Sequence, residues 1–325
     1  MLSFIRAISI VCGALLALIP TAPARADTYP SKPVRIIVPY GAGGIADVTM
    51  RLVADDLGKR FGHQFFIENR PGAGGIVGMQ AAREAPADGY TLVMLGGGLT
   101  IAKALFKSLP YDIETDFIPI STTASYGLVI ATKAGSTHKT IGDVIAAAKA
   151  RPGALNFGTI NPGSGQNLSA ELFRTMGGID VTIVPYKTTP DLANAVLRGD
   201  VDVAFEYFAG FQSQFTNGQM TVLATTGHER ANNLPQVPTV RESGLPGYEV
   251  TSWNGLAVPK RTPGEIVTKL NHAVAEALKS AEVQKFSQAA GMDARGMSSE
   301  DLHDRIRSDV AKWSQVIEMA GIQKR

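Results

Sequence analysis

Cysteine and excess charge are both scarce in this sequence, and each shortage excludes a class of protein. A single cysteine, Cys12, stands among 325 residues, which excludes a disulfide framework and a cysteine-based zinc site. The 31 lysines and arginines nearly balance the 29 aspartates and glutamates. Nucleic acid requires a strongly basic face, so we expect no nucleic-acid partner.

Long apolar runs are lacking as well. The apolar stretch at residues 7–19 is shorter than the roughly 20 residues that span a bilayer. It follows Arg6 and precedes the small-x-small sequence Ala24-Arg25-Ala26, which is the order of a secretory signal peptide. We predict that residues 1–26 are a cleavable signal for export to the periplasm. The alternative is a buried N-terminal helix.

Cleavage after Ala26 would change the composition. It removes Cys12, Arg6 and Arg25 and no acid, so 29 basic residues then face 29 acidic ones. The mature chain is predicted to be neutral and free of cysteine, as suits an oxidising compartment. Any positive potential that attracts an anion would then come from backbone groups at helix starts.

Strand-like and helix-like segments alternate along the rest of the chain, which predicts an α/β fold with mainly parallel strands. The predicted strands are residues 34–38, 64–68, 91–95, 154–158, 181–184, 201–205 and 221–224. Helices are predicted at 45–60 and 166–176, and the C-terminal quarter is more helical. There, residues 262–265 read as a capping box with Pro263 as the first helical residue, and Ser298 is predicted to open the last helix.

Two strand-like stretches, residues 125–132 and 249–258, are candidates for crossovers between domains. If both cross, the first domain is discontinuous. It would combine residues 27–127 and 251–325 around a second domain at residues 128–250.

Glycine-rich sequences follow several predicted strands. Gly-Ala-Gly-Gly-Ile occurs at 41–45 and again at 72–76, and further glycine-rich stretches lie at 96–98 and 158–165. The first N–H groups of a helix lack partners and carry the positive end of its dipole, and glycine lets an anion approach them. Any one loop could be only a tight turn. Four at strand ends favour a shared anion-binding crevice.

A dinucleotide site is the alternative interpretation. Gly41, Gly43 and Ala46 fit the pattern G-x-G-x-x-G/A, and Glu68 ends the second strand where a ribose-binding acid would stand. This interpretation predicts an NAD-dependent oxidoreductase. However, an exported chain seldom meets NAD, and the second glycine repeat at 72–76 is left unexplained.

Side chains that could carry chemistry are few. None of the five histidines has a metal-binding spacing, and residues 162–165 lack the first glycine of a nucleophile elbow. Lys187 could face a ligand or the solvent, Asp47 could order the first glycine loop, and Glu206 with Tyr207 could point into a cleft. No acid–base pair stands out. We therefore predict a binding protein with no catalytic residue, no metal and no cofactor.

Ordered motifs along nearly the whole mature chain carry a family resemblance. The main ones are YPSKPVR (29–35), VPYGAGG (38–44) with Asp47 and Arg51, ENRPGAGG (68–75), DGYTL (88–92), LPYD (109–112), VPYK (184–187), LPQVPT (234–239), ESGLPGY (242–248) and Trp253. With these motifs the chain closely resembles the Bug-type periplasmic solute-binding proteins of tripartite tricarboxylate transporters. The resemblance implies a two-lobed, type II-like periplasmic binding protein that closes on its ligand like a Venus flytrap.

The resemblance also implies the partners and the site. The partners would be a small organic carboxylate and integral-membrane transporter subunits, and we expect a monomer. A sensor subunit that presents its ligand to a receptor is a further alternative. With the glycine loops added, the predicted ligand-binding residues are Tyr40, Gly41, Ala42, Gly43, Gly44, Asp47, Gly72, Ala73, Gly74, Gly97, Thr159, Ser164, Gly165, Asn167, Tyr186, Lys187, Glu206 and Tyr207.

Two residues depart from the family pattern. Asn167 stands where the family commonly has histidine, and Thr188 stands where it commonly has glycine. Asparagine can donate a hydrogen bond but cannot become a cation. Threonine has less backbone freedom than glycine and is expected to reshape the pocket.

Overall fold

The computed structural model describes residues 29–325, and every strand and helix discussed below lies in the compact unit Lys32–Arg325. The predicted signal peptide, with Cys12, lies outside the described residues. Between residues 29 and 325, no helix is both long and apolar enough to cross a membrane.

Strands and helices alternate as predicted over this part of the chain. The strands are β1 (Val34–Val38), β2 (Phe65–Asn69), β3 (Thr91–Gly96), β4 (Phe117–Lys133), β5 (Asn156–Ile160), β6 (Thr182–Tyr186), β7 (Val203–Tyr207), β8 (Met220–Thr225) and β9 (Thr251–Pro259). The helices are α1 (Ile45–Phe61), α2 (Ile76–Arg83), α3 (Gly97–Leu105), α4 (Ile141–Ala150), α5 (Gly165–Gly177), α6 (Thr189–Arg198), α7 (Gln212–Thr216), α8 (Gly264–Ala277), α9 (Ala281–Ala290) and α10 (Ser299–Met319).

All nine strands join one sheet, in the order β2-β1-β3-β9-β4-β7-β5-β6 with β8 also on β4. The pairs among β1, β2 and β3 and among β5, β6 and β7 are parallel, whereas β4 and β9 pair antiparallel to their neighbours. The predicted fold class, an α/β fold of the two-lobed binding-protein type, is confirmed. The prediction of mainly parallel strands was wrong, because β4 and β9 make four of the eight strand pairings antiparallel.

Strand β4 is the element that links the two parts of the sheet. Its first part, residues 117–127, pairs with β9, and its later part, residues 128–133, pairs with β7 and β8. We call β1–β3, β9 and the first part of β4 the first half, and β5–β8 with the later part of β4 the second half. The predicted crossovers at 125–132 and 249–258 fall on β4 and β9, while the domain boundaries remain a prediction.

Each half has its own apolar core. The first-half core contains Val93, Trp253 and Leu302, and the second-half core contains Phe157, Phe173 and Phe205. Two helices that follow first-half strands in the chain also pack against the second-half core. Helix α3 contributes Ile101, Ala104 and Leu105, and helix α10 contributes Trp313, Val316 and Ile317. Helix α3 thus begins beside β3 and ends packed on the second half.

The predicted helix starts in the C-terminal quarter had different outcomes. Ser298 caps α10 by accepting a hydrogen bond from the Asp301 amide, as predicted. The capping box at 262–265 was wrong. The buried Thr262 hydroxyl donates to the Pro259 carbonyl at 2.8 Å, so it is turned away from the helix. Pro263 therefore precedes α8 as its N-cap residue, without a side-chain cap.

Candidate functional site

Three successive strands of the first half, β1, β2 and β3, lead into a helix through glycine-rich residues. We call residues 41–44 the β1 loop, residues 72–75 the β2 loop and residues 96–98 the β3 turn. The residues that precede α1, α2 and α3 are Gly44, Gly75 and Gly96, and none of them provides a side-chain cap. The first N–H groups of these helices therefore have no capping side chain and carry the positive end of each helix dipole.

The β1 and β2 loops lie side by side. A Cβ added to Gly78, in the first turn of α2, would meet the Pro39 Cβ at 2.9 Å. One added to Gly75 would meet the same atom at 3.4 Å. Glycine at these positions lets α2 pack on Pro39, which lies two residues before the β1 loop. Side chains at Gly41 and Gly43 would point into open space.

Asp47 holds the β1 loop in place. Its carboxylate, 2% exposed, accepts hydrogen bonds from the Gly43 amide at 2.9 Å, Arg51 Nε at 2.9 Å and Asn69 Nδ2 at 2.8 Å. Burial acts to raise the pKa of Asp47, but these hydrogen bonds outweigh it and hold the pKa below its ordinary value. Asn69 also donates to the Tyr40 carbonyl at 3.1 Å and so ties the end of β2 to the β1 loop.

The second half repeats this construction with a neutral side chain. We call residues 161–165 the β5 loop. The Gly163 amide donates to Asn167 Oδ1 at 2.9 Å, and Asn167 Nδ2 donates to the Thr159 hydroxyl at 3.4 Å. Asp47 and Asn167 are each the third residue of a helix, and each accepts from the glycine amide four residues earlier. Asn167 therefore orders its loop from inside the second half.

The starts of α5 and α6 in the second half differ from those of α1, α2 and α3, because side chains cap them. Ser164 accepts from the Asn167 amide at the start of α5, and Thr188 accepts from the Asp191 amide at the start of α6. The departure at Thr188 thus supplies a cap that glycine could not provide.

Glu206 occupies the space between these two helix starts. The side chain is 2% exposed. It accepts from Gln166 Nε2 at 2.8 Å, from the Thr189 hydroxyl at 2.9 Å and from the Tyr207 amide at 2.7 Å. Burial raises the pKa of Glu206 despite these hydrogen bonds. The carboxyl group is thus satisfied within the second half.

The raised pKa of Glu206 predicts how stability depends on pH. An unfolded glutamate ionises near 4.5 and the folded one at a higher pH, so the folded state binds more protons in between. The free energy of unfolding should therefore fall as the pH rises through this window, by at most about 1.4 kcal/mol per pH unit. Glu206→Gln should lack this fall. Urea unfolding from pH 4 to 8 measures this free energy for both proteins. Glu318→Gln, which changes an exposed glutamate, is the control. The same dependence of the free energy of unfolding on pH in wild type and Glu206→Gln would contradict the prediction.

A cluster of phenols lies where the two halves meet. The rings of Tyr126 and Tyr207 pack edge to face with centroids 5.3 Å apart. Ser252 forms side-chain hydrogen bonds with both phenols. Burial raises the pKa of Tyr40, Tyr126 and Tyr207, so all three remain hydrogen-bond donors at neutral pH.

This cluster connects predicted site residues of both halves. A Cβ added to Gly165 would lie 3.1 Å from Tyr207 Oη, and one added to Gly97 would lie 3.1 Å from Ser252 Oγ. Tyr40 Oη lies 3.6 Å from the corresponding position on Gly96. The starts of α3 and α5 therefore both adjoin the phenols.

The structure gathers most of the predicted residues into three connected groups. The first is the pair of glycine loops with Asp47, the second is the β5 loop with Thr159, Asn167 and Glu206, and the third is the phenol cluster with Gly97. Tyr186 joins the second group through its carbonyl, which accepts from the Asn161 amide at 3.0 Å. Lys187 is exposed, and no contact of its side chain draws it into these groups. Ligand contact by any of these residues remains a prediction.

Three residues at the centre were missed by the sequence prediction: Tyr126, Ser252 and Asn254. They lie on β4 and β9, which the sequence marked only as crossovers. The sequence did contain a signal for these residues, namely hydroxyl and amide side chains on strands that were predicted to cross between domains.

Neither a ribose-binding acid nor a metal-binding cluster is formed by residues 29–325. Glu68, the acid of the dinucleotide interpretation, accepts from Arg35 at 3.0 Å and also pairs with Arg70. Two guanidinium groups thus engage the carboxylate that a ribose would need. Among residues 29–325, no cluster of three histidine, cysteine, aspartate or glutamate side chains is placed to hold a metal ion.

Comparison with known proteins agrees with this geometry. Residues 49–322 match the model of the tripartite tricarboxylate transporter family receptor. Protein BugT of Bordetella pertussis is 32% identical over 302 residues, which cover 92% of this chain and 93% of BugT.

Two solved structures come from Rhodopseudomonas palustris. Rpa4515 with adipate is 32% identical, with a TM-score of 0.75 over 91% of this chain and 99% of that one. MatC with bound malate is 28% identical, with a TM-score of 0.70 over 89% of this chain and 100% of that one. The extent of the family match and the agreement of the folds show that the chain belongs to the tripartite tricarboxylate transporter receptor family of periplasmic solute-binding proteins.

Proposed function

We propose that this chain is an exported, monomeric receptor that binds a small organic acid through its carboxylate and delivers it to integral-membrane subunits of a tripartite tricarboxylate-type transporter. One observation carries the proposal: the helices that follow the neighbouring strands β1, β2 and β3 are each preceded by a glycine that provides no side-chain cap. The adipate and malate in the two related structures support a carboxylate as the ligand. The protein would bind and release its ligand without chemical change.

The two halves are suited to different tasks. In the first half the helix starts offer uncapped N–H groups, whereas in the second half Ser164 and Thr188 cap α5 and α6, and Glu206 accepts from side chains beside both starts. We infer that the carboxylate is captured on the β1 loop, the β2 loop and the β3 turn. The second half then closes over the ligand, with β4 and β9 as the hinge between the predicted domains.

Backbone donors suit a transport receptor. They stabilise an anion through hydrogen bonds and helix dipoles, and the donors are held by loops that packing and Asp47 fix in advance. The site needs no lysine or arginine in contact with the carboxylate. A ligand held without an ion pair can bind well and still be released to the membrane subunits.

Calorimetric titration of the mature chain tests this function. The panel is adipate, malate, benzoate and aspartate, with adipamide as an uncharged analogue of adipate. We expect saturable binding of at least one carboxylate at micromolar concentrations or below and no binding of adipamide. Absence of binding across the carboxylates, or equal binding of adipate and adipamide, would contradict the proposal.

A further inference from the structure

Asn254 is a buried amide at the centre of the sheet. It lies on β9, opposite Gly96 of β3 on one side and Ala124 of β4 on the other, and it is 3% exposed. Its Oδ1 accepts a hydrogen bond from the Tyr126 hydroxyl at 3.3 Å. Within residues 29–325, its Nδ2 has no hydrogen-bond partner.

A buried donor without a partner is costly. Leaving such a group unpaired costs about 1–3 kcal/mol, and folded proteins pair the large majority of these groups. Leucine has the same branched arrangement of heavy atoms and would avoid the cost of the unpaired donor. An amide at this position therefore indicates a role that the fold itself does not require.

The side chain of Asn254 lies beside the residue that precedes α3. A Cβ added to Gly96, its cross-strand partner, would lie 3.4 Å from Asn254 Oδ1. The hydroxyl of Tyr40 adjoins the same position at 3.6 Å. Helix α3 has nine residues and no side-chain cap, so the Asn254 amide lies close to an uncapped helix start.

We propose that Asn254 is a specificity-determining residue whose Nδ2, with the uncapped start of α3, donates hydrogen bonds to a carboxylate of the bound acid. The proposal rests on the function proposed above and names a contact within that site. Tyr126 engages the oxygen end of the amide by donating to it, which leaves Nδ2 for the ligand.

The surrounding groups set the chemistry that this subsite accepts. Tyr40, Tyr207 and Ser252 are neutral hydroxyls that can donate to a ligand oxygen, whereas Tyr126 already donates to Asn254. We expect an oxygen acceptor here, because the unpartnered Asn254 Nδ2 and the first N–H groups of α3 are donors only. Tyr207 comes from the second half, so a carboxylate bound here would contact both halves and favour the closed form.

Two substitutions of Asn254 test the assignment. Asn254→Leu removes both the donor and the acceptor while keeping the branching of the side chain, and Asn254→Asp keeps the acceptor for Tyr126 but replaces the donor with negative charge. We measure the affinity of each full mature variant by calorimetry for whichever of adipate, malate, benzoate and aspartate the wild type binds most tightly. We expect a loss of about tenfold to a hundredfold for Asn254→Leu and a larger loss for Asn254→Asp.

Thermal unfolding without ligand separates a contact from a structural role. Asn254→Leu should unfold close to the temperature of the wild type, because removal of an unpaired donor offsets the loss of the acceptor for Tyr126, which keeps its hydrogen bond with Ser252. Asn271→Leu is the matched control: its amide donates to the Ile120 and Met297 carbonyls, so it should lower stability and leave affinity unchanged.

The possible outcomes separate the two proposals. A wild type that binds a carboxylate, with unchanged affinity in Asn254→Leu and Asn254→Asp, would overturn this inference and leave the proposed function standing. Lower affinity accompanied by an equal loss of stability in both Asn254 variants would also overturn it. A wild type that binds none of the four acids would overturn both.

Discussion

Gly41→Asp should reduce the affinity for the bound carboxylate by at least about a hundredfold, because it places a negative charge beside the proposed anion site. Like charges brought together at a binding site cost several kcal/mol. The new carboxylate could also occupy the free N–H groups at the start of α1 itself. Gly41 has ordinary backbone angles and open space at its Cβ position, so the substitution should fold without strain. Calorimetric titration of the mature variant measures the loss.

Two controls isolate the effect of charge and position. Gly41→Asn adds nearly the same volume without charge and should lose far less affinity. Gly264→Asp places the same charge in an equally open position at the start of α8, which belongs to no proposed site, and should bind as the wild type does. Equal losses in Gly41→Asp and Gly41→Asn would assign the effect to volume and contradict the electrostatic account.

Asp47→Ala should be the most destabilising of the site substitutions. It removes the acceptor of the Gly43 amide, Arg51 and Asn69 together, and hydrogen bonds to a charged group contribute about 1.5–3 kcal/mol. We expect the free energy of unfolding to fall by about 2–3 kcal/mol and the affinity for a carboxylate to fall about tenfold, because the β1 loop is no longer held. Urea unfolding and calorimetry measure the two quantities.

Acidification provides a second test of Asp47. Its pKa is held below the ordinary 3.8, so its stabilising effect is present above that pH and is lost as the pH falls through the folded-state pKa. The stability difference between wild type and Asp47→Asn should be constant above about pH 5 and should shrink below about pH 4. Asp55→Asn is the control. Asp55 also forms an i,i+4 ion pair on α1, but an exposed one, worth less than about 1 kcal/mol. A pH-independent difference for Asp47→Asn would contradict the account.

Local sequence patterns were sufficient to predict the first half of the site. Apolar runs bounded by glycine predicted β1, β2 and β3, and the Gly-Ala-Gly-Gly-Ile repeats predicted the loops that follow β1 and β2. These features depend on residues close together in the chain. Asp47 was predicted for the same reason, since it lies four residues after the amide that it accepts from.

The ends of β5, β6 and β7 were predicted two residues short. The apolar run of β7 stops at Phe205, yet the strand continues through Glu206 to Tyr207, because Tyr207 pairs with Leu128 on β4. Partners in a ladder can be distant in sequence, and polar residues can extend a strand wherever a neighbour supplies hydrogen bonds. Glu206 is consequently held inside the second half.

The phenol cluster could not be predicted from local patterns because its members are far apart. Tyr126 and Asn254 are separated by 128 residues and meet only when β4 and β9 pair antiparallel. The error at Thr262 has a similar origin, since a tertiary context that buries the hydroxyl gives it the Pro259 carbonyl as partner.

A crystal structure of the mature protein with the carboxylate that binds most tightly tests the central claim most directly. The account predicts carboxylate oxygens within about 2.7–3.2 Å of backbone nitrogens at the starts of α1, α2 and α3 in the first half. It also predicts that the starts of α5 and α6 keep their caps from Ser164 and Thr188. A carboxylate held by lysine or arginine side chains, or bound at α5 and α6 with the first-half amides left free, would contradict it.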